Sequence, residues 1–338
     1  MDKLLTRDDF REKVFARDNH TCVFCDKPAE DAHHILERRL WPDGGYYLSN
    51  GASVCGEHHM ACERTDISVE EVLAACKITK RILPEQLYDD QIYDKWGNPI
   101  MPNGTRLRGE LFDDESVQKV LAGKLDLFIR YVKYPRTYHL PWSQNVPEDD
   151  RVMPSVAQFE GRRVIATVKM DGENTTWYCD YNHARSVDSA NHPSRNWAKA
   201  LWAQKCADIP EGYRVCLENL YAQHSIAYDD LESYVYGFSF WDDKNICQSW
   251  DDTMEWFQLM EITPVPVLYD DIFDEKKLRN LHNSLDLSKC EGYVLRVADS
   301  FHYSQFRKSV AKFVRKNHIQ TVKHWMQGQP IVPNKLRK

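Results

Sequence analysis

No stretch of this 338-residue sequence approaches the ~18 consecutive apolar residues of a membrane-spanning helix. The first residues, Met-Asp-Lys-Leu-Leu-Thr-Arg-Asp-Asp, lack the apolar core of a secretion signal. An excess of positive charge is missing as well. The formal net charge is −7 and the pI is near 6.0, which excludes a uniformly basic nucleic-acid coat. A local basic groove stays open, because steering depends on the local field. The longest acidic run, Glu148-Asp149-Asp150, is short and reads as a solvated loop after Pro147. There are no internal repeats and no low-complexity tract. What remains is a chain without a membrane segment, long enough for two domains and a sizeable core. Its expected location is the cytoplasm, or the host cytoplasm for a phage-encoded chain.

Cysteine is present but unevenly spread. Of ten cysteines, Cys22, Cys25, Cys55 and Cys62 gather near the N-terminus and the others are scattered. That suits a metal site in a reducing compartment better than a disulfide framework. Residues 8 to 17 read as a short helix with Phe10, Val14 and Phe15 on one side. Cys22-x-x-Cys25 and Cys55-x-x-His58 then have the two-residue gap of zinc knuckles, and together they predict one tetrahedral structural zinc site. Cys62 reads as a packed helix cysteine.

His33-His34, Asn50, His59 and Glu63 are left over. They resemble the HNH nuclease family, whose ββα-metal core places paired histidines on a strand and further ligands on a helix. The resemblance implies that His33 and His59 bind a catalytic divalent metal. It implies His34 as the general base that activates water, with Asn50 orienting it. Glu63 stands where the family commonly has histidine, four residues after His59 and on the same helical face. The other reading is a structural zinc module that helps to hold nucleic acid. Ser68-Val-Glu-Glu71 is a capping box opening a helix to about Thr79, and a small HNH-like, treble-clef-like zinc domain is expected over residues 1–82. Residues 83–130 read as a connecting region, with turns at Trp96-Gly97-Asn98-Pro99 and Pro102-Asn103-Gly104. A helix is expected near 114–132.

Further on, Val164-Ile165-Ala166-Thr167-Val168 reads as a buried strand ending in Lys169. Asp171-Gly172 signals a turn, and Thr175–Tyr178 reads as the next strand of a hairpin. A lysine there is either a solvated charge or a nucleophile, the latter when desolvation or neighbouring cations free its amine near neutral pH. Lys169-x-Asp171-Gly172 resembles the nucleotidyl-attachment motif of the covalent nucleotidyltransferases, which include nucleic-acid ligases and messenger-RNA capping enzymes. The family's later motifs follow in order. They are Arg185 in His-Ala-Arg-Ser, Glu218 in Leu-Glu-Asn, Phe238 in Gly-Phe-Ser-Phe, Glu291-Gly-Tyr-Val-Leu-Arg296, and Lys312 in Ala-Lys-Phe-Val-Arg315. Order is what makes the set specific.

The resemblance implies a set of roles. Lys169 attacks the α-phosphate of ATP. Phe238 stacks on adenine, Glu218 holds the ribose, and Arg185 contacts the ribose or the acceptor-end phosphate. Glu291 holds Mg2+ or Mn2+, and Lys312 binds the α-phosphate. The family's second lysine is replaced by Val314, so Arg315 is the candidate assistant. Asn174, five residues after Lys169, is characteristic of the RNA-ligase branch. About two dozen residues follow Lys312, too few for the OB domain expected of capping enzymes and DNA ligases. Tyr134–Ser143 resembles the entry segment of bacterial and phage RNA ligases, with Arg136 and His139 as candidate contacts to nucleotide or RNA, or as a rigid proline-bounded lead-in.

The implied fold is α+β, with a nucleotidyltransferase domain of antiparallel sheets flanked by helices over residues 131–338. The implied function is ATP-dependent sealing of RNA 3′-hydroxyl and 5′-phosphate ends through lysyl-AMP and RNA-adenylate. The substrate is RNA, free or in a nicked duplex or RNA–DNA hybrid. Alternatives are a ligase of nicked DNA or mixed duplexes, and an HNH nuclease with an accessory adenylylated domain. A helix is expected from Ser194 to about Ala207, and others near 251–261 and 274–282. Strands are expected near 213–218, 233–241, 291–298 and 309–314. The basic stretch from Arg307 to His324, with Arg38, Arg39 and Trp41 in the zinc domain, is expected to grip RNA.

Overall fold

The computed structural model describes residues 3–89, 91–147, 150–286, 289–316 and 330–337. The chain divides into two units, Met1–Val132 and Lys133–Lys338.

In the first unit, α1 (Arg7–Arg17) starts where the Thr6 hydroxyl accepts from the Asp9 amide, and it buries Phe10 and Val14. β1 (Asp31–His34) and β2 (Gly51–Val54) form an antiparallel pair with His33 opposite Ala52 and His34 opposite Gly51. Gly51 lets α1 lie close: a Cβ there would come within 2.4 Å of Val14. α2 (Gly56–Glu63) leaves directly from Cys55. α3 (Val69–Ala75) begins with the reciprocal Ser68–Glu71 box that the sequence predicts. It stops short of Thr79 because Lys77 takes a left-handed φ of 57°.

Residues 83–130, expected as a connection, hold a sheet of their own. β3 (Ile92–Tyr93), β4 (Pro99–Ile100), β5 (Arg106–Leu107) and β6 (Phe128–Ile129) pair in that order, the last two in parallel. α4 (Glu115–Val120) is shorter than the helix expected near 114–132, because the chain tightens into a 3-10 turn over Ala122–Leu127 before β6. Leu87 and Tyr93 are buried in one cluster with Ile35, Leu36 and Val54, so the stretch folds as part of the first unit. At its centre the buried Arg106 guanidinium lies 2.9 Å from Asp94 and donates to Thr65 at 2.7 Å. Asp94 also accepts the amides of Trp96 and Asn98, closing the predicted turn.

The second unit holds two larger sheets. Its strands are β7 (Tyr138–His139), β8 (Arg163–Lys169), β9 (Glu173–Trp177), β10 (Asn182–Ala184), β11 (Arg214–Asn219) and β12 (Val235–Trp241). Then come β13 (Ile246–Cys247), β14 (Val267–Ile272), β15 (Gly292–Val297), β16 (Phe301–His302) and β17 (Val310–Val314). One sheet runs β14-β8-β15-β17-β7 and the other β10-β9-β11-β12-β13-β16. β17 and β7 are parallel, so the five-stranded sheet is mixed, while the six-stranded sheet pairs antiparallel throughout. Helices α5 (Asn196–Lys205), α6 (Trp250–Leu259), α7 (Glu275–Leu281) and α8 (Phe306–Ser309) complete it. Ser194 does not cap α5; it lies in a 3-10 turn that His192 caps.

The expected hairpin at Asp171-Gly172 is a corner instead. β8 pairs with β14 and β15, whereas β9 pairs with β10 and β11. Both edges of β8 are already taken, so the chain passes to the other sheet. A Cβ on Gly172 would lie 2.6 Å from the Asn219 carbonyl oxygen, which is why glycine stands there. β14 had no signal: Val-Leu-Tyr-Asp-Asp-Ile is an exposed edge strand without apolar alternation.

Candidate active site and metal centres

Between the two sheets of the second unit lies a cavity of about 470 Å³. Antiparallel pairing places Lys169 opposite Gly292, Thr167 opposite Val294, and Val294 opposite Lys312. Lys169, Thr167, Val294 and Lys312 therefore line one wall, because alternate residues of a strand share a face. Asn174, Glu218 and Phe238 line the other sheet's side, and Arg185 joins them just beyond β10. The separate motifs quoted from the sequence thus converge on one space.

The Lys169 ammonium pairs with the Glu291 carboxylate, and the Glu291 amide donates to the Lys169 carbonyl at 3.0 Å. Burial pushes the Lys169 pKa down, but Glu291, Glu218 and Asp171 outweigh it and hold the amine above its ordinary value. Desolvation alone therefore does not free the Lys169 amine. Burial raises Glu218 to about 8, against the opposing pull of Lys169. Asp171 is buried behind the wall, accepting from the Ser225 hydroxyl at 2.6 Å and the Ile226 amide at 2.7 Å. Burial and then Glu291 raise its pKa.

The Phe238 ring meets Tyr134 edge-on at 5.3 Å. Asn174 Oδ1 is buried and has no partner among the described residues. Arg315 is not among the lining residues; its Nε donates to the Cys290 carbonyl at 3.4 Å. Lys312 Nζ sits 2.5 Å from Asp150 Oδ2, and His139 Nε2 lies 2.9 Å from the same oxygen. Asp150 is therefore not part of a solvated acidic loop; Glu148 and Asp149 lie outside the described residues.

Arg296 also lines the cavity, with the residue only 5% exposed. Its Nη2 donates to the Gln248 carbonyl at 2.8 Å, and Nη1 has no partner among the described residues. Sequence reasoning quoted Arg296 within the Glu-Gly motif and gave it no role. The available signal was a charge at an alternate position of a buried strand.

Residues 162–314 match the RNA ligase family. The match lies within the second unit and covers less than half of the chain, and it supports the ligase superfamily for that unit. No curated protein matches. Among solved structures the chain is similar to an archaeal ATP-dependent RNA ligase, at 12% identity over 54% of this chain and 48% of that one, with a TM-score of 0.40. It is also similar to a Naegleria gruberi RNA ligase with PPi, at 14% identity over 54% and 59%, with a TM-score of 0.36. The chain thus spans about half to three-fifths of the length of these two structures. No helix of the described residues is long and apolar enough to cross a membrane.

The RNA ligase match does not reach the first unit, where two donor clusters occur. Cys22, Cys25, Cys55 and His58 converge with Sγ to Nδ1 distances of 3.2–3.6 Å and a Cys25–Cys55 sulfur separation of 3.8 Å. A tetrahedral ion with sulfur at about 2.3 Å sets sulfurs about 3.8 Å apart, so the four donors fit one. The His58 backbone N–H, then its ring, lowers Cys55 to about 6 against the pull of burial, favouring the thiolate such a site needs. Cys62 is buried in the core and stands outside the set.

His33, His59 and Glu63 form the second cluster, with donor atoms within 4.8 Å of one another. Glu63 Oε1 lies 3.5 Å from His33 Nδ1 and 3.7 Å from His59 Nε2. Two imidazoles and a carboxylate suit a divalent transition-metal ion. These residues and His34 line a cavity of about 450 Å³. His34 stacks on Phe10 at 4.6 Å, and its Nε2 is buried without a partner among the described residues. Burial, then Lys95, lowers its pKa to about 4, so it is neutral at neutral pH. The Asn50 side chain bonds elsewhere than His34 among the described residues. It bonds the Leu36 amide at 2.9 Å and the Leu36 carbonyl at 3.1 Å, pinning the chain just after β1. Lys95 was missed altogether: its ammonium lies 3.1 Å from Glu63 and 3.0 Å from Glu37. It comes from the stretch read as loops, where a lone lysine carries no signal.

Proposed function

We propose that the chain is an ATP-dependent RNA ligase that seals 3′-hydroxyl and 5′-phosphate ends through lysyl-AMP and then RNA-adenylate. The observation that carries the reading is the convergence of Lys169, Glu218, Phe238, Arg185 and Lys312 on one cavity, from motifs far apart in the chain. Lys169 Nζ is the nucleophile toward the α-phosphate. Phe238 offers a stacking face for adenine, beside the Tyr134 ring that braces it. Glu218 accepts from ribose hydroxyls, and near pH 8 it changes between donor and acceptor. Arg185 and Lys312 place positive charge where phosphate charge develops. Any change that takes Glu291 off the Lys169 ammonium moves that lysine toward the free amine, since burial is the largest single influence on it. Glu291 is the carboxylate that would hold Mg2+ or Mn2+, which would supply neutralisation of the phosphates. The test is incubation with α-phosphate-labelled ATP. A covalent adduct that disappears in Lys169→Ala supports the reading, and an adduct that persists there defeats it.

In the first unit, Cys22, Cys25, Cys55 and His58 would hold a structural zinc ion. His33, His59 and Glu63 would hold a second divalent ion, and His34 would take a proton from water at its free Nε2. The partnerless His34 nitrogen inside that cavity favours hydrolysis of nucleic acid over a purely structural module. Incubating the full chain and its His34→Asn variant with labelled RNA and DNA tests this: cutting by the full chain alone is the expected result. Sealing assays on nicked RNA, nicked DNA, mixed nicks and single strands separate the RNA ligase reading from a ligase of DNA or mixed duplexes. Cutting without any sealing would favour a nuclease with an accessory adenylylated domain.

A further inference from the structure

Three cationic or N–H-donating side chains of the second unit meet on a single carboxylate. Asp150 Oδ2 takes the Lys312 ammonium at 2.5 Å and His139 Nε2 at 2.9 Å, and the Arg136 guanidinium lies 3.5 Å from Oδ1. The Asp150 side chain is 12% exposed, Lys312 16% and His139 1%, so this is not a solvated surface pair. Burial pushes the Asp150 carboxyl up, but hydrogen bonds from His139 and Lys312 override it and hold the group well below the usual carboxylate range. Arg136, Asp150 and Lys312 line the same cavity as Lys169.

Ser143 Oγ accepts the Val314 amide at 2.9 Å and stands 2.8 Å from His139 Nδ1. The same hydroxyl lies 3.4 Å from the Val314 carbonyl. The ionised Asp150 carboxylate can only accept, so His139 Nε2, 2.9 Å away, carries the N–H that points at it. Two cationic groups and one oriented N–H converging on oxygen are the donor set of a phosphoryl group.

We propose that Arg136, His139 and Lys312 form a polyphosphate subsite of the ligase cavity, and that in the resting protein the Asp150 carboxylate occupies it. The proposal rests on the nucleotidyl-transfer reading and adds to it two residues, a ligand and an occupant. An arriving di- or triphosphate takes the three donors, and Asp150 leaves them. A site filled by its own carboxylate most of the time binds weakly in proportion to the fraction of time it is open.

The test is calorimetric titration of inorganic pyrophosphate into the full-length protein and its Asp150→Asn variant. Asparagine keeps the size of the side chain and removes its charge. The expected result is about tenfold tighter binding by Asp150→Asn, the figure for a carboxylate that fills the site about nine-tenths of the time. Equal or weaker binding by a folded Asp150→Asn overturns the proposal, since a carboxylate that merely positions Lys312 would weaken the site when lost. If that variant does not fold, Arg136→Gln replaces it. A loss of at least about threefold in pyrophosphate affinity supports the subsite, and no loss overturns it. Failure of both proteins to bind pyrophosphate also overturns it. Adduct formation from labelled ATP, measured in parallel on the wild type, shows whether the parent reading stands when the subsite does not.

Discussion

Lys169 ends β8 and Glu291 stands immediately before β15, and their side chains pair across the two adjacent strands. The backbone repeats the contact through the Glu291 amide and the Lys169 carbonyl at 3.0 Å. Lys169 is thus held in place by the residue that also holds it protonated. Positioning the amine and freeing it pull against each other.

Lys169→Arg should fail as completely as Lys169→Ala to form the nucleotide adduct, because guanidinium keeps its proton and cannot attack. Either variant should still join a strand supplied already adenylylated, within about tenfold of wild type, since that step needs no lysyl-AMP. Comparing sealing of 5′-phosphate and 5′-adenylylated strands checks this. Equal loss on both substrates would remove Lys169 from the first step.

Glu218 should make the protein lose stability as pH rises. Its carboxyl titrates near 8 in the folded protein and in the ordinary carboxylate range when unfolded, so the folded state binds the extra proton between those values. The stabilisation is complete below the unfolded pKa and is lost as pH rises through about 8. Glu218→Gln stays neutral throughout. Its melting temperature should match wild type near pH 5 and exceed it by on the order of 5 °C near pH 9. A constant difference across that range would mean that Glu218 is ionised throughout.

Cys25→Ser should remove bound zinc and unfold the first unit, because a small metal module draws much of its folding free energy from the ion. His34→Asn should leave zinc content and melting unchanged while ending any cutting of nucleic acid. Metal analysis and far-ultraviolet circular dichroism on freshly purified protein give both readouts. Full helical signal without zinc in Cys25→Ser would contradict the assignment.

Arg106→Met should destabilise the first unit by about 3–5 kcal/mol, since it leaves the buried Asp94 carboxylate with amide donors but without its cationic partner. Adding Asp94→Asn should recover part of that loss. Denaturant unfolding of both variants measures it, and a loss below about 1 kcal/mol would show that water or another cation reaches Asp94.

Contiguous signals were the legible ones. The Ser68–Glu71 box forms as its four residues predict, and the Cys-x-x-Cys pair, the Cys-x-x-His pair and the Lys169 motif each name their donors within a few residues. The donor sets they imply converge in space. Pairing across distance was less legible. Nothing local says that β8 and β9 enter different sheets, because a turn signal at Asp171-Gly172 serves a hairpin and a corner equally. Asp150 looked like a solvated acid because its partners Lys312 and His139 lie 162 and 11 residues away. Lys95 and Arg296 were silent for the same reason: a single charge acquires meaning only from what folding sets beside it.

The turn at Asp94–Asn98 has a bearing on how this protein can be taken apart. Lys95 reaches the Glu63 carboxylate, and the Trp96 indole donates to the Glu63 main-chain carbonyl at 2.9 Å. One short turn thus fastens both ends of a single candidate ligand. A cassette cut at residue 82 would carry every histidine of the cluster and leave that fastening behind. Grafted elsewhere, it would have the right letters and a loose Glu63. The transplantable piece runs to Val132, and shuffling this domain between proteins is constrained by a lysine and a tryptophan outside its recognisable motif.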